Sequence, residues 1–344
     1  MQTNYFVCFG IGIAQENLAK TSKKFGNFNI IIEHEKKKIK KNKKLIDFTI
    51  PGSVYNFQKV NSFIKKIKKN YKNINDLIFR SSGPAILTAF HICKGFKIKR
   101  IKKDLAYSIY SKNYFLKFLI KKNILNKDKL FNYNHLKNNN NNLNFVIKPD
   151  APIIGKKGVF KTNHLEKNKI KKISSLSDNK KINITENVNG QDISVVMFKR
   201  KNKKNFNLIN FIIEQNFFSN KGTLHNKGIA AFKNLKDKIM QKKIIIITNK
   251  IIKNYDDYYG FLVISFRVNI KEIFPYEINI GLVGDNYAEK LFPFFYNNNI
   301  YETEILNLMG QRCDFIEKKK YNFVGLSNKK YFFSESKFNK YILR

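Results

Sequence analysis

A chain of 344 residues with 43% hydrophobic content is long enough for about two or three lobes and too apolar for wholesale disorder. Its formal charge of +41 points toward nucleic acid or a membrane surface, yet the excess is almost all lysine and is spread along the whole chain. It accompanies abundant Asn, Ile, Phe and Tyr, residues that share A/T-rich codons, so base composition explains the charge as well as function does.

Cys8, Cys93 and Cys313 lie far apart and form no CxxC pair. That spacing argues against a zinc knuckle or a disulfide framework and fits a reduced, cytoplasmic setting. The N-terminus lacks a basic region followed by a long apolar stretch, and no run reaches the roughly 18 apolar residues a membrane span needs. A soluble protein is the expectation.

In chain order, "YFVCFGIG" reads as a strand ending in glycines and "AQENLAKTSKKFG" as a helix. "NFNIIIEH" is a second strand, and "LIDFTIPG" is a third after the lysine-rich segment 36–44. "FQKVNSFIKKIKKNY" has helical spacing, "DLIFRSSG" is a strand with a glycine turn, and "PAILTAFHICKGF" is a helix. This alternation predicts a parallel sheet with helices on both faces. "GIGIAQ" lacks the third glycine of a dinucleotide fingerprint, since Gln15 occupies it. Glu33 and Glu35 could supply a ribose-binding acid, but tight packing of the first strand–helix turn is the favoured reading.

A long helix is expected from Leu105 to Leu125, then an asparagine-rich loop in "NKDKLFNYNHLKNNNNNLN". The strand "FVIK" follows, then a glycine loop and the helix "HLEKNKIKKISSL". "INITENVNGQDISVVMF" reads as two strand pieces around a glycine turn, and "IIIITNKIIKNY" as a helix. "GFLVISFRVNIKEIFPYEINIG" reads as two strands, and the aromatic, basic segment after Gly310 as part of the last lobe. The stretch from Asn202 to Lys242 carries no pattern assignable to a substrate.

Three segments are candidates for chemistry, although the first two taken alone read as ordinary polar hairpins and the third as a solvated strand face. Lys148 closes an apolar strand just before Gly155-Lys156-Lys157-Gly158, a loop whose amides could approach phosphate oxygens. No GxxxxGK[ST] occurs, so a Walker A loop is excluded. "TENVNGQDISV" places Glu186 and Asp192 around a strand–turn–strand. "FPYEINIGLVGD" sets Glu277 and Asn279 on one strand face, a hard-oxygen pair suited to Mg²⁺ that bridges phosphates.

Together and in this order, the three segments resemble the ATP-grasp superfamily, over roughly residues 5 to 295. The first hundred residues, with "IFRSSGPAILTAFHIC", resemble the Rossmann-like domain that precedes ATP-grasp in carbamoyl-phosphate-synthase-like and carboxylate–amine ligase members. The implied fold is α/β: a Rossmann-like N-terminal domain (1–100) followed by a two-lobed α+β ATP-grasp domain (101–186 and 187–344).

The resemblance implies that Lys148 and Lys112 hold ATP phosphates, Lys112 lying in "SKNYFLKFLIKKNIL". Gly155, Lys157 and Gly158 would form the lid over them. The backbone from Glu186 to Val188 would cradle adenine, Asp192 would contact ribose, and Glu277 with Asn279 would hold Mg²⁺. Three positions depart from the family's pattern. Ser265 stands where a first metal-binding acid is usual, Gly281 where many relatives carry arginine, and Thr185 where a carboxylate is frequent.

Arg267 shares a strand face with Ser265 and is the candidate catalytic cation; Arg80 and "NKGTLHNKGIAAF" are candidate substrate lining. The implied activity is ATP-dependent ligation of a small carboxylate to an amine or similar nucleophile, with ATP and Mg²⁺. A nucleotide-binding protein that does not ligate and a basic nucleic-acid-binding protein are the alternatives. Membrane association is not expected, and a homo-oligomer is left open.

Overall fold

The computed structural model describes residues 3–343 apart from 81–82, 128–129, 132–143, 154–156, 164–165, 220–221 and 283–286. Strands β1 (Tyr5–Phe9), β2 (Phe28–Glu33), β3 (Phe48–Pro51) and β4 (Asp76–Ile78) form a parallel sheet in the order β3-β2-β1-β4. Between and after them run α1 (Ile13–Lys24), α2 (Lys36–Lys41), α3 (Val60–Asn70) and α4 (Ala85–Gly95). β1 and β2 are near-continuous apolar runs because helices cover both faces. α3 buries Val60, Phe63 and Ile67 on one stripe. The lysine-rich segment forms α2, which buries nothing.

The helix expected over Leu105–Leu125 is two helices, α5 (Lys103–Tyr110) and α6 (Lys112–Lys121). Ser111 breaks them: its backbone is extended, and its hydroxyl accepts from the Tyr114 amide at 3.1 Å as the N-cap of α6. A three-stranded antiparallel sheet follows in the order β6-β5-β7, from β5 (Phe145–Pro149), β6 (Phe160–Thr162) and β7 (Ile182–Glu186). α7 (Lys167–Ser175) packs on it through the buried Ile173. Most of the asparagine-rich segment lies outside the described residues.

The remaining strands are β8 (Gln191–Lys199), β9 (Asn207–Phe218), β10 (Leu224–Phe232), β11 (Gly260–Val268), β12 (Ile273–Ile280), β13 (Phe323–Ser327) and β14 (Lys330–Phe332). They build a seven-stranded antiparallel sheet in the order β12-β11-β8-β9-β10-β13-β14. β9 and β10 come from the stretch that carries no pattern assignable to a substrate. α8 (Lys238–Ile252) begins earlier than its isoleucine run, at Asp237, whose carboxylate caps the Met240 amide at 2.8 Å. α9 (Phe292–Phe295), α10 (Ile300–Leu308) and α11 (Glu335–Leu343) follow. β13 pairs with β10, so the C-terminal segment is built into the large sheet. Apolar side chains of the parallel and large sheets merge into two clusters. Among the described residues, no helix is long and apolar enough to cross a membrane.

Candidate active site

A cleft of about 780 Å³ opens between the three-stranded sheet and one face of the large sheet. Alternate residues of four strands point into it: Asp192 and Ser194 of β8, Glu214 and Asn216 of β9, Ser265 and Arg267 of β11, Glu277 and Asn279 of β12. From the other side come Val146 and Lys148 of β5 and the segment Thr185 to Val188. Of the expected site residues, Lys112, Lys148, Lys157, Glu186, Val188, Asp192, Arg267, Glu277 and Asn279 all line this one cleft.

Lys148 is only 6% exposed, and its Nζ lies 4.8 Å from the centre of the Tyr276 ring. Burial, reinforced by the neighbouring Lys112 charge, pulls its amine down to about 7 against the attraction of Glu277, Asp192 and Asp150. Lys112 opens α6 and places its Nζ 2.6 Å from Glu277 Oε1. Burial alone would raise the Glu277 carboxyl. The charge and hydrogen bond of Lys112, with Lys148 and the Asn279 amide, hold it below the usual range instead. A register shift between Ser265 and Phe266 makes Tyr276 the extra residue of a β-bulge, which re-aims β12 so that Tyr276 and Glu277 both face the cleft.

Asp150, which the sequence reading did not single out, fixes the two lysines relative to each other. Its buried carboxylate accepts from Ser111 Oγ at 2.9 and 2.8 Å, from the Asn113 amide at 2.6 Å and from Asn179 Nδ2 at 2.6 Å. Its carbonyl accepts from the Lys112 amide at 3.0 Å. The end of β5, which carries Lys148, is therefore tied to the first turn of α6, which carries Lys112. An acid at a helix N-terminus is favourable in its own right.

At the other end of the cleft, Arg267 donates from Nε to the Val188 carbonyl at 3.1 Å and lies 2.9 Å from Asp192 through Nη1. Asn216 Nδ2 donates to Asp192 at 2.8 Å and to Glu214 at 3.0 Å. The arginine expected to be catalytic therefore braces the Glu186–Val188 segment and Asp192. Ser265 pairs in register with Glu277, and its hydroxyl shares a 2.8 Å hydrogen bond with Ser194.

Gly158 has φ +81°, and a Cβ there would lie 2.7 Å from Leu176 Cδ1 and 3.1 Å from Pro149 Cγ. It turns the loop tightly against the end of β5. Lys157 is exposed at the rim, and Gly155 lies outside the described residues. Gly281, at φ +83°, would set a Cβ 3.0 Å from the Phe79 carbonyl, so a side chain at the position where the resemblance leads one to expect arginine would be strained and tightly packed here. Arg80 lines the cleft and is clamped by Glu289 and by the Leu282 carbonyl at 3.3 Å. Glu33 is buried and spends its carboxylate on the amides of Ile11, His34 and Glu35, which supports tight packing over a ribose site at the first glycine turn.

Solved structures share this architecture across almost the whole chain. Phosphoribosylglycinamide synthetase from Anaerococcus prevotii is 17% identical, with a TM-score of 0.65 over 94% of this chain and 80% of its own. L-amino acid ligase from Bacillus licheniformis is 10% identical, with a TM-score of 0.69 over 94% and 79%. The biotin carboxylase domain of 2-oxoglutarate carboxylase from Hydrogenobacter thermophilus, crystallised with MgADP, ADP and bicarbonate, is 11% identical, with a TM-score of 0.71 over 94% and 74%.

The chain has the ATP-grasp fold.

The Rossmann-like parallel sheet, the small antiparallel sheet and the large antiparallel sheet are the three sheets of that fold. No protein-family model and no curated protein sequence matches the chain. Within the ATP-grasp frame, Glu277 and Asn279 suit a single Mg²⁺: both offer oxygen donors on one strand face, and the Glu277 side chain is 31% exposed to the cleft.

Proposed function

We propose that this chain is an ATP-dependent ligase that activates a small carboxylate as an acyl phosphate for attack by an amine. The observation that carries this reading is the convergence of Lys148, Lys112, Glu277 and Asn279 in one cleft of an ATP-grasp fold. Lys148 and Lys112 would hold the phosphates, Lys157 would reach over them from the rim, and the Glu186–Val188 backbone would take the adenine edge. Asp192 would meet the ribose, with Arg267 as the positioning residue that braces it and the hinge. Glu277 and Asn279 would hold Mg²⁺, which supplies charge neutralisation across the phosphate oxygens when bound.

A carboxylate oxygen would attack the γ-phosphorus and expel ADP, and the amine nitrogen would then attack the acyl carbon and expel phosphate, losing one proton. The protein contributes positioning and charge, with no covalent protein intermediate. In this scheme Lys112 would exchange its bond to Glu277 for the phosphates, leaving the Glu277 carboxylate available to hold the metal.

Among the three compared structures the phosphoribosylglycinamide synthetase has the highest identity, so glycine with phosphoribosylamine is the first pair to test, followed by pairs of amino acids. The assay is coupled ADP and phosphate release. ADP that appears only when acid and amine are both present supports ligation. Ser265, which faces Glu277 where a second acid is usual, favours one alternative, a nucleotide-binding protein without turnover. MgADP binding with no ADP release from MgATP for any pair would select that alternative.

A further inference from the structure

A second cleft, of about 980 Å³, lies at the opposite end of the parallel sheet. It is bounded by Ile74 and Asn75, just before β4, whereas the turn after β4 and Arg80 face the first cleft. We propose that this second cleft is a binding site for an oligophosphate anion.

Its charge is the first argument. Six of its fourteen lining residues are lysines, Lys97, Lys99, Lys199, Lys201, Lys203 and Lys204, against the acids Asp256 and Asp257. Lysine is 60 of 344 residues in the chain as a whole, so the cleft is enriched beyond the base-composition background. Asp257 is already bridged by Lys102. The candidate active site, by contrast, is balanced, with five basic and five acidic lining residues. Surplus cation therefore collects in this concavity and not in the candidate active site.

The second argument is that the floor is built. Lys199 is 5% exposed, donates to the Asp256 carbonyl, and sets its ammonium over the Phe206 ring at 5.5 Å. Lys201 donates to the Leu308 carbonyl at 3.0 Å and to Asp76 at 3.3 Å, over the Tyr259 ring at 5.1 Å. Asp76 is itself held by Arg100, which also pairs with Glu304. Two ammonium groups are thus fixed beneath four exposed ones, and none of Lys97, Lys99, Lys203 and Lys204 forms an ion pair among the described residues.

Like charges converging on a concave wall repel one another and focus a positive potential into it. A compact anion with several charges relieves that repulsion at every lysine at once, and ammonium groups act as point-charge partners of phosphate. An extended nucleic-acid strand would need a track of cations beyond the cleft, and a single carboxylate would engage too few of them.

The test is calorimetric titration of tripolyphosphate into the full chain at 150 mM KCl with MgADP present in excess. It is run on the wild type, on the triple variant Lys97→Glu, Lys203→Glu, Lys204→Glu, and on a control triple Lys36→Glu, Lys37→Glu, Lys40→Glu on the exposed helix α2. One saturable site is expected, weakened about tenfold or more by the cleft triple and less than about twofold by the control. Equal weakening by both triples, no saturable binding to the wild type, or tighter binding of a uridine oligomer that both triples abolish would each overturn the proposal. The same lysines changed to glutamine give the answer if a charge-reversed variant melts early. Should MgADP fail to bind, the active-site reading falls, while the comparison of the two triples still decides this one.

Discussion

Replacing Lys148 with methionine keeps an unbranched stem and removes the charge, and its effect on stability follows from the burial of that charge. In the folded chain the amine sits at about 7, not at the ordinary lysine value of 10.5, because burial and the Lys112 charge disfavour the ammonium. Between about pH 7 and 10.5 the unfolded chain binds more protons here than the folded chain does, so the cost of folding this lysine is full below that window and fades across it. At about 1.4 kcal/mol per pH unit, the cost is about 4–5 kcal/mol at pH 6 and about 2 kcal/mol at pH 9. Loss of the ammonium–ring contact with Tyr276 returns about 1–2 kcal/mol. Lys148→Met should therefore unfold at higher urea, with a gain of about 2–4 kcal/mol at pH 6 that shrinks by about 2–3 kcal/mol at pH 9. Since the chain lacks tryptophan, circular dichroism is the probe. A variant less stable than the wild type at pH 6, or a difference that does not change with pH, would refute the reasoning.

Glu277→Gln leaves Lys112 a hydrogen-bond partner but no anion; MgADP binding should weaken about tenfold to a hundredfold while binding of ADP in EDTA holds, and equal loss in both would show that the carboxylate serves structure rather than metal. Asp150→Ala strips the buried anchor from Ser111 and Asn113 and should cost about 2–4 kcal/mol in urea unfolding together with a raised KM for ATP, with Asp150→Asn milder in both. An unchanged KM would separate Asp150 from the placement of Lys112. Gly158→Ala adds a Cβ at φ +81° against Leu176 and Pro149 and should destabilise by about 1–3 kcal/mol, read as a lower thermal midpoint, with no loss if that turn is free to relax.

Some of this was legible in the sequence because the signal is local. Apolar runs punctuated by glycine turns give the parallel sheet, and a period of two puts Glu277 beside Asn279. A lysine at the end of an apolar strand marks Lys148. Other features depend on partners far away in the chain. Asp150 finds its acceptor role only when Ser111 and Asn113 are folded beside it. The pairing of Arg267 with Asp192 follows from the β8–β11 register, and no neighbour in sequence announces it. β9 escaped because Ile209 to Ile213 is buried on both faces and shows no alternation, while its cleft-facing residues Glu214 and Asn216 sit in a chain already rich in polar residues. The break at Ser111 is masked by apolar periodicity that continues across it from α5 to α6.

The central claim is that Lys148 and Lys112 form a phosphate site with the Glu277–Asn279 pair. Calorimetric titration of MgADP into the wild type, Lys148→Met and Lys112→Met tests it most directly. The account predicts one site in the wild type and a loss of about tenfold or more in each variant. Equal affinity in all three proteins, or no binding to the wild type, would contradict it.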